Sequence, residues 1–365
     1  MNTNKLAPPC ILATIAALAT LALACAAPAP RATAPAPDAP AAASAPAQTG
    51  PAPSAPAAPA GPTRTLTLGL ANKTFTQLPE WVAETQGYYA EEGLAIEAVY
   101  TSASTTVIAA MVSGNMDIAT TSPGNAILTR QKGANLTIVG GYLNRAMYNM
   151  VGQKSLRTLD DLRGKRIGVA GTSTGDSLLI REMMAAKGMR ENDDYQFVRI
   201  GGTPERYNAL FSGAIDAVTL IDPFNYAALD AGFPNLANVY EYVPDYVHSA
   251  TSVNADWARQ NEGAFVGYLK GIIRGIRWVY DPANREAALN LAVENTGVER
   301  KFAEMALDEH VRVTAWPKNG EVNEKGLEWV IQQAAAVGEL EPPLPTVQDV
   351  TDPSYTRKAL AQLDK

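Results

Sequence analysis

Cysteine is nearly missing from this 365-residue chain: there are two, Cys10 and Cys25, both close to the N-terminus. The remainder has no thiol, which excludes a disulfide framework, thiolate catalysis and cysteine-ligated metal there. Histidine is as scarce, with only His248 and His310, and their separation gives no paired-histidine metal spacing. Hydrolytic triads are hard to build from so little, so the inventory argues against an enzyme and against a metal or cofactor. Basic clusters are lacking too. With Lys5, Arg31 and Asp38 set aside, acidic residues past position 63 outnumber basic ones 36 to 28, a net of −8. Without a basic patch, nucleic acid is excluded as the expected partner.

What the N-terminus does have is an export signal. Lys5 is the only charge before the apolar run Ile11 to Leu23, which is shorter than the about 20 residues a membrane-spanning helix needs. The run ends at Ala22-Leu23-Ala24-Cys25. Ala22-x-Ala24 satisfies ordinary signal-peptidase cleavage, and Cys25 after a small residue resembles a bacterial lipobox, with Ala22 where leucine is usual. Residues 26–62 then hold 11 Pro and 17 Ala in 37 positions. Such a segment has no apolar face to bury and favours an extended, semi-rigid spacer, able to reach on the order of 100 Å. A spacer suits a lipid anchor on Cys25. The expected layout is a signal over 1–24, a tether over 25–63, and a folded part in the cell envelope outside the cytoplasm.

From Thr65 the chain alternates short apolar runs with amphipathic segments. Strands are expected at 65–70, 96–100, 117–120 and 136–141, with helices at 79–92, 105–113 and 125–132 between them. Gly93 suits the left-handed cap that ends the first helix. The grammar restarts with strands at 166–170, 195–200 and 217–221 and helices at 175–187, 204–212 and 224–231. Met147 to Gln153 and Ser249 to Asn254 suit crossings between the two blocks. Beyond about Asp256 the chain reads as helical, with Phe265, Leu269, Ile272, Ile273 and Ile276 on one face. Such alternation argues sheets flanked by helices, and about 300 residues argue two lobes. An internal echo joins the blocks: Ala110 to Ala119 parallels Ala209 to Val218, each with a glycine (Gly114, Gly213) followed by an aspartate (Asp117, Asp216).

Three stretches carry a family resemblance. Ala83-Glu-Thr-Gln-Gly87-Tyr88-Tyr89-Ala-Glu-Glu-Gly93-Leu94, Gly114-x-x-Asp117-Ile-Ala, and Leu159-Asp-Asp-Leu162-Arg-Gly164-Lys165-Arg-Ile167-Gly168-Val169 resemble the substrate-binding proteins of bacterial ABC importers. Order and spacing are similar to the group serving alkanesulfonate, taurine, nitrate and thiamine-precursor uptake. The resemblance implies an α/β, two-lobed type 2 periplasmic-binding-protein fold, each lobe a mainly parallel sheet flanked by helices. Its lobes would be 64–147 with 252–365, and 148–251, closing on solute. It further implies a monomer whose partners are a small-molecule solute, a permease and its ATPase, with the membrane reached through the N-terminal lipid.

In open α/β sheets ligands lie beyond the carboxyl ends of the strands. Those loops are rich in hydroxyls here: Ser102 and Ser104, Thr121 and Ser122, Thr172, Ser173 and Thr174, and Thr203. Helix N-termini with hydroxyls favour a small anion, although serine and threonine also serve as ordinary helix caps. Asn72 and Lys73 in the first loop add polar contacts. Phe75, Tyr142 and Phe224 offer aromatic faces for a flat ring. Asp222 would recognise an amine or ring N–H, and Arg206 reads as a surface charge. The expected solute is therefore a small organic molecule, anionic, heteroaromatic or both. Two other readings stay open: a ligand sensor signalling to a membrane receptor, and an enzyme like the related thiamine-pyrimidine synthase, whose histidine and cysteine chemistry this chain does not offer.

Overall fold

A computed structural model describes residues 64–71, 73–101, 103–172 and 174–365. The export signal, the tether and Cys25, together with Asn72, Ser102 and Ser173, lie outside the described residues. The first block runs β1 (Arg64–Leu70), α1 (Leu78–Thr85), α2 (Tyr88–Glu91), β2 (Leu94–Tyr100), α3 (Ser104–Val112), β3 (Ile118–Thr121), α4 (Pro123–Gln131) and β4 (Leu136–Leu143). The second runs β5 (Asn149–Gly152), β6 (Lys165–Val169), α5 (Gly175–Ala185), β7 (Tyr195–Arg199), α6 (Thr203–Phe211), β8 (Ala217–Leu220), α7 (Phe224–Asp230) and β9 (Asn235–Asn238). β10 (Ser249–Asn254) follows, then the helices α8 (Ala255–Gln260), α9 (Glu262–Val279), α10 (Arg285–Thr296), α11 (Arg300–Arg312), α12 (Glu324–Ala336), α13 (Val347–Val350) and α14 (Ser354–Leu363).

The strands form two five-stranded sheets of matching plan, ordered β2-β1-β3-β10-β4 and β7-β6-β8-β5-β9. In each, three strands are parallel and the fourth, a crossing strand, is antiparallel to both neighbours. Four of the five strands in each sheet therefore run the same way, and the crossing strand alone is reversed, so the mainly parallel sheets are mixed at that one strand. β10 is buried at five of its six positions, as its place between two strands demands. The edge at β4 is covered by C-terminal chain: Gly141 N–H donates to Gly320 O (3.0 Å) and Asp352 N–H to Ile138 O (2.8 Å). Covering removes an open strand edge that would otherwise invite pairing with another chain.

The echo between blocks has a mechanical cause. Gly114 and Gly213 take φ of +78° and +75°, ending α3 and α6 in the left-handed conformation that glycine adopts without strain. Asp117 then accepts from Thr67 N–H and Asp216 from Arg166 N–H, both at 2.8 Å, pinning the start of the parallel neighbour β1 or β6. Gly87 at φ +74° breaks the expected 79–92 helix into α1 and α2.

Helix α9 buries the expected face, including Phe265, Leu269, Ile272, Ile273 and Ile276. Two glycines on it let neighbours approach closely. A Cβ on Gly271 would stand 2.4 Å from the Tyr89 ring, and one on Gly275 would stand 2.4 Å from the Pro79 carbonyl. The second clash is with backbone, so no rotamer change relieves it. Gly275→Ala should therefore lower stability by about 1–3 kcal/mol. Gly263→Ala, on the same helix with nothing within 4 Å of the new Cβ, should raise it by up to about 1 kcal/mol. Denaturant melts of both variants check this; a pair of equal, same-sign shifts would show that α1 moves freely.

Candidate functional site

The inner parallel strands end at Leu70, Thr121, Val169 and Leu220, and the polar groups beyond them decide what can bind. Asp222 follows β8 and is 1 % exposed, yet neither carboxylate oxygen has a hydrogen-bond partner among the described residues. Burial pushes its carboxyl up from 3.8 to about 7; its own backbone N–H opposes the rise and the negative charge of Glu309 adds to it. Next on the same turn, Asn225 is buried with its Oδ1 unpartnered. Thr121 at the end of β3 is buried with a hydroxyl in the same condition. An unmade hydrogen bond at a buried group costs about 1–3 kcal/mol, so such groups call for a partner beyond these side chains.

The two histidines, which lack metal spacing in the sequence, each hold a buried ring nitrogen without a partner among the described residues. His310 on α11 is buried, and its Nδ1 lies 2.9 Å from Ala306 O. A carbonyl only accepts, so Nδ1 carries the proton and Nε2, unpartnered, presents a lone pair. Burial holds the ring at about 4 against the opposing pull of the Ala306 carbonyl and the Glu309 charge, so it is neutral near pH 7. The ring stacks on Trp316 at 4.7 Å and meets Phe75 at 5.3 Å. His248, just before β10, packs on Tyr148 at 5.4 Å, has Nδ1 unpartnered, and is likewise held by burial at about 4. A histidine beside a crossing strand was the available signal in the sequence.

The charges resolve differently from expectation. Arg206 is not a surface group: it is 3 % exposed and pairs with buried Asp176 at 3.2 Å. It also donates to Gly201 O (2.9 Å), Thr203 Oγ1 (3.3 Å) and Thr219 O (3.4 Å). The two terminal nitrogens of the guanidinium thus tie the ends of β6, β7 and β8 together, while Nε–H is buried without a partner among the described residues. Lys73 is exposed, its Nζ 5.8 Å from the Tyr100 ring centre.

Other expected residues sort by environment. Thr172 is exposed. Thr174 is exposed too, its hydroxyl engaged with Gly171 O (2.7 Å) and the Asp176 carboxylate. Ser122 stands at the N-cap position of α4 and Thr174 at that of α5, but neither side chain makes a capping bond. Ser104 opens α3 half-buried. Phe75 is buried against His310 and Trp316. Tyr142 is enclosed in β4, where burial and then the charge of Glu80 hold its hydroxyl well above its usual range. Phe224 packs on Tyr207 at 5.3 Å in an aromatic group with Phe211 and Phe233.

Two ties hold the second sheet's elements to α11. Glu309 accepts from Tyr226 OH on α7 (2.8 Å) and from Tyr240 OH just after β9 (2.6 Å). Among the described residues no group of three or more metal-ligating side chains forms, and no helix is long and apolar enough to cross a membrane.

Comparison with known proteins agrees with this architecture. A formylaminopyrimidine-binding protein of Halalkalibacterium halodurans is 26 % identical over 225 residues, covering 59 % of this chain and 65 % of that protein, so the chain spans less than two thirds of that relative's length. The periplasmic nitrate-binding protein of Synechocystis PCC 6803 superposes with a TM-score of 0.70 at 17 % identity, over 83 % of this chain and 89 % of that one. A desulfurization enzyme also shares the fold, with a TM-score of 0.61 at 15 % identity over 82 % and 99 % of the two chains. The model of the family described as NMT1/THI5 like matches residues 74–285, more than half of the sequence. The chain is therefore a member of the NMT1/THI5-like family, built on the two-sheet architecture of the periplasmic binding proteins.

Proposed function

We propose that the protein is the solute-binding component of an importer, and that it captures a small heteroaromatic molecule bearing amino or ring N–H donors. The observation that carries this is Asp222: a buried carboxyl with both oxygens unpartnered calls for donors. Asn225 Oδ1 and, on α11, His310 Nε2 are two more buried acceptors without partners, while the Arg206 guanidinium pairs with Asp176 and keeps one unpartnered donor, Nε–H. An anion would meet acceptors and a negative charge, so the donor-bearing part of the expectation is favoured over the anionic one. The relative that binds formylaminopyrimidine is consistent with this chemistry. Delivery to a permease and ATPase, and tethering through lipid on Cys25, complete the proposal.

Isothermal titration of the full chain with formylaminopyrimidine, nitrate and alkanesulfonates tests the ligand class. At 100 times its dissociation constant the true ligand should stabilise the protein by about 2.7 kcal/mol. Binding of nitrate or a sulfonate in place of every amino-heterocycle would overturn the reading. A second reading has one observation behind it. Two histidines each keep a buried ring nitrogen without a partner, groups of the kind that move protons, and a desulfurization enzyme shares the fold. Mass spectrometry of the recovered pyrimidine separates the two: capture returns it unchanged, catalysis does not.

A further inference from the structure

Four side chains link the buried end of β8 to the surface. Asn225 Nδ2 donates to Asn149 Oδ1 (2.7 Å), Asn149 Nδ2 donates to Asn238 Oδ1 (2.8 Å), and Asn238 Nδ2 donates to Glu241 Oε1 (2.8 Å). Asn149 and Asn225 are buried, Asn238 is half-buried and Glu241 is exposed. An amide can be turned either way, with its oxygen and nitrogen exchanging places, but a carboxylate only accepts. Glu241 therefore obliges Asn238 to present its NH2 outward and its oxygen inward. Asn149 must then donate to Asn238 and offer its own oxygen to Asn225. Asn225 must donate in turn, which leaves its oxygen as the free atom at the start of α7, three residues beyond Asp222. A second donor, Asn235 Nδ2 at 2.8 Å, holds Asn238 Oδ1 in the same sense.

We infer that this asparagine relay is a specificity device: the surface carboxylate of Glu241 sets the hydrogen-bond polarity of buried Asn225, so that the site accepts from a ligand amino group and rejects a carbonyl at the same place. The inference rests on the capture reading for its ligand, but the relay itself does not. Asn149, Asn225 and Asn238 act as positioning residues whose common output is the orientation of one amide.

The test reverses the anchor. In Glu241→Lys the side chain can only donate, so each amide should turn over and Asn225 should present NH2 to the site. Neutron diffraction from crystals of the wild type and of Glu241→Lys reads the amide orientations without any ligand. Titration with formylaminopyrimidine and with the analogue carrying oxygen in place of the ring amino group reads the consequence. Expected is a fall of about tenfold or more in the amino-over-oxo affinity ratio, the size of one hydrogen bond, with the melting temperature unchanged. Asp245→Lys makes the same charge change on an exposed neighbour outside the relay and should leave the ratio as in the wild type. Unturned amides in Glu241→Lys would overturn the relay. Turned amides with an unchanged ratio, or an equal change in Asp245→Lys, would overturn its role in specificity. If the wild-type amides lie as described and neither pyrimidine binds, the relay stands and the capture reading of ligand class fails.

Discussion

Asp222→Asn should weaken capture of an amino-heterocycle by about tenfold to hundredfold while leaving the unliganded protein at least as stable as before. The affinity loss is that of hydrogen bonds to a charged acceptor, about 1.5–3 kcal/mol. The stability gain follows from linkage. The folded carboxyl titrates at about 7 against an ordinary 3.8, so the native state holds a proton that the unfolded state releases over that interval. Stability from this group is therefore complete below pH 3.8 and falls as pH rises to about 7. By pH 8 the ionised, unpartnered carboxylate opposes folding by about 4 kcal/mol. Asparagine has no such dependence. Denaturant melts of wild type and variant should diverge between pH 4 and pH 7, with the variant ahead, and run parallel above. The contributions of His248, His310 and Glu80 are common to both proteins and cancel in the difference. Parallel curves throughout would mean that Asp222 is not held protonated. Because the ionised form is the better acceptor, wild-type affinity should also fall as pH drops below about 7, and this fall should vanish in Asp222→Asn.

Arg206→Met should cost about 3–5 kcal/mol, the usual penalty for stranding one partner of a buried ion pair. Asp176 would keep its bond from Ala170 N–H (2.9 Å) but lose the only cation beside it among the described residues. The carbonyls of Gly201 and Thr219 would lose their donor as well, so the loops beyond β6, β7 and β8 would loosen together. Combining Arg206→Met with Asp176→Leu removes the stranded charge, and the double variant should recover at least half of the loss. A double-mutant cycle from denaturant melts measures the coupling. Additive losses would show that the two charges do not depend on each other.

Much of the framework follows from local rules. Short apolar runs, helix periodicity and well-placed glycines locate nearly every strand and helix, because those signals act within a few residues. The repeated glycine and aspartate of the two blocks state their own mechanism, a left-handed cap and a clamp on the neighbouring strand. The exceptions are informative. The split at Gly87 depends on how Tyr89 docks on α9, and β9 is too short and polar to announce itself.

Of the proposed site, Asp222 and Thr121 are legible in the sequence. Residue type and place alone make Asp222 a candidate for binding an amine. That it is buried and unpaired, that Arg206 pairs with Asp176, and that His310 offers a lone pair from Nε2 were beyond the sequence. Each depends on what distant segments bring against the group: α11 stands beside Asp222 and Phe75 although the chain reaches it after the whole second sheet. The scarcity of cysteine, histidine and basic clusters, the alternating grammar and the paired blocks are properties of the sequence by itself, because they are counts and periods. Burial and hydrogen-bond polarity are relations between remote residues, and only the tertiary structure decided them.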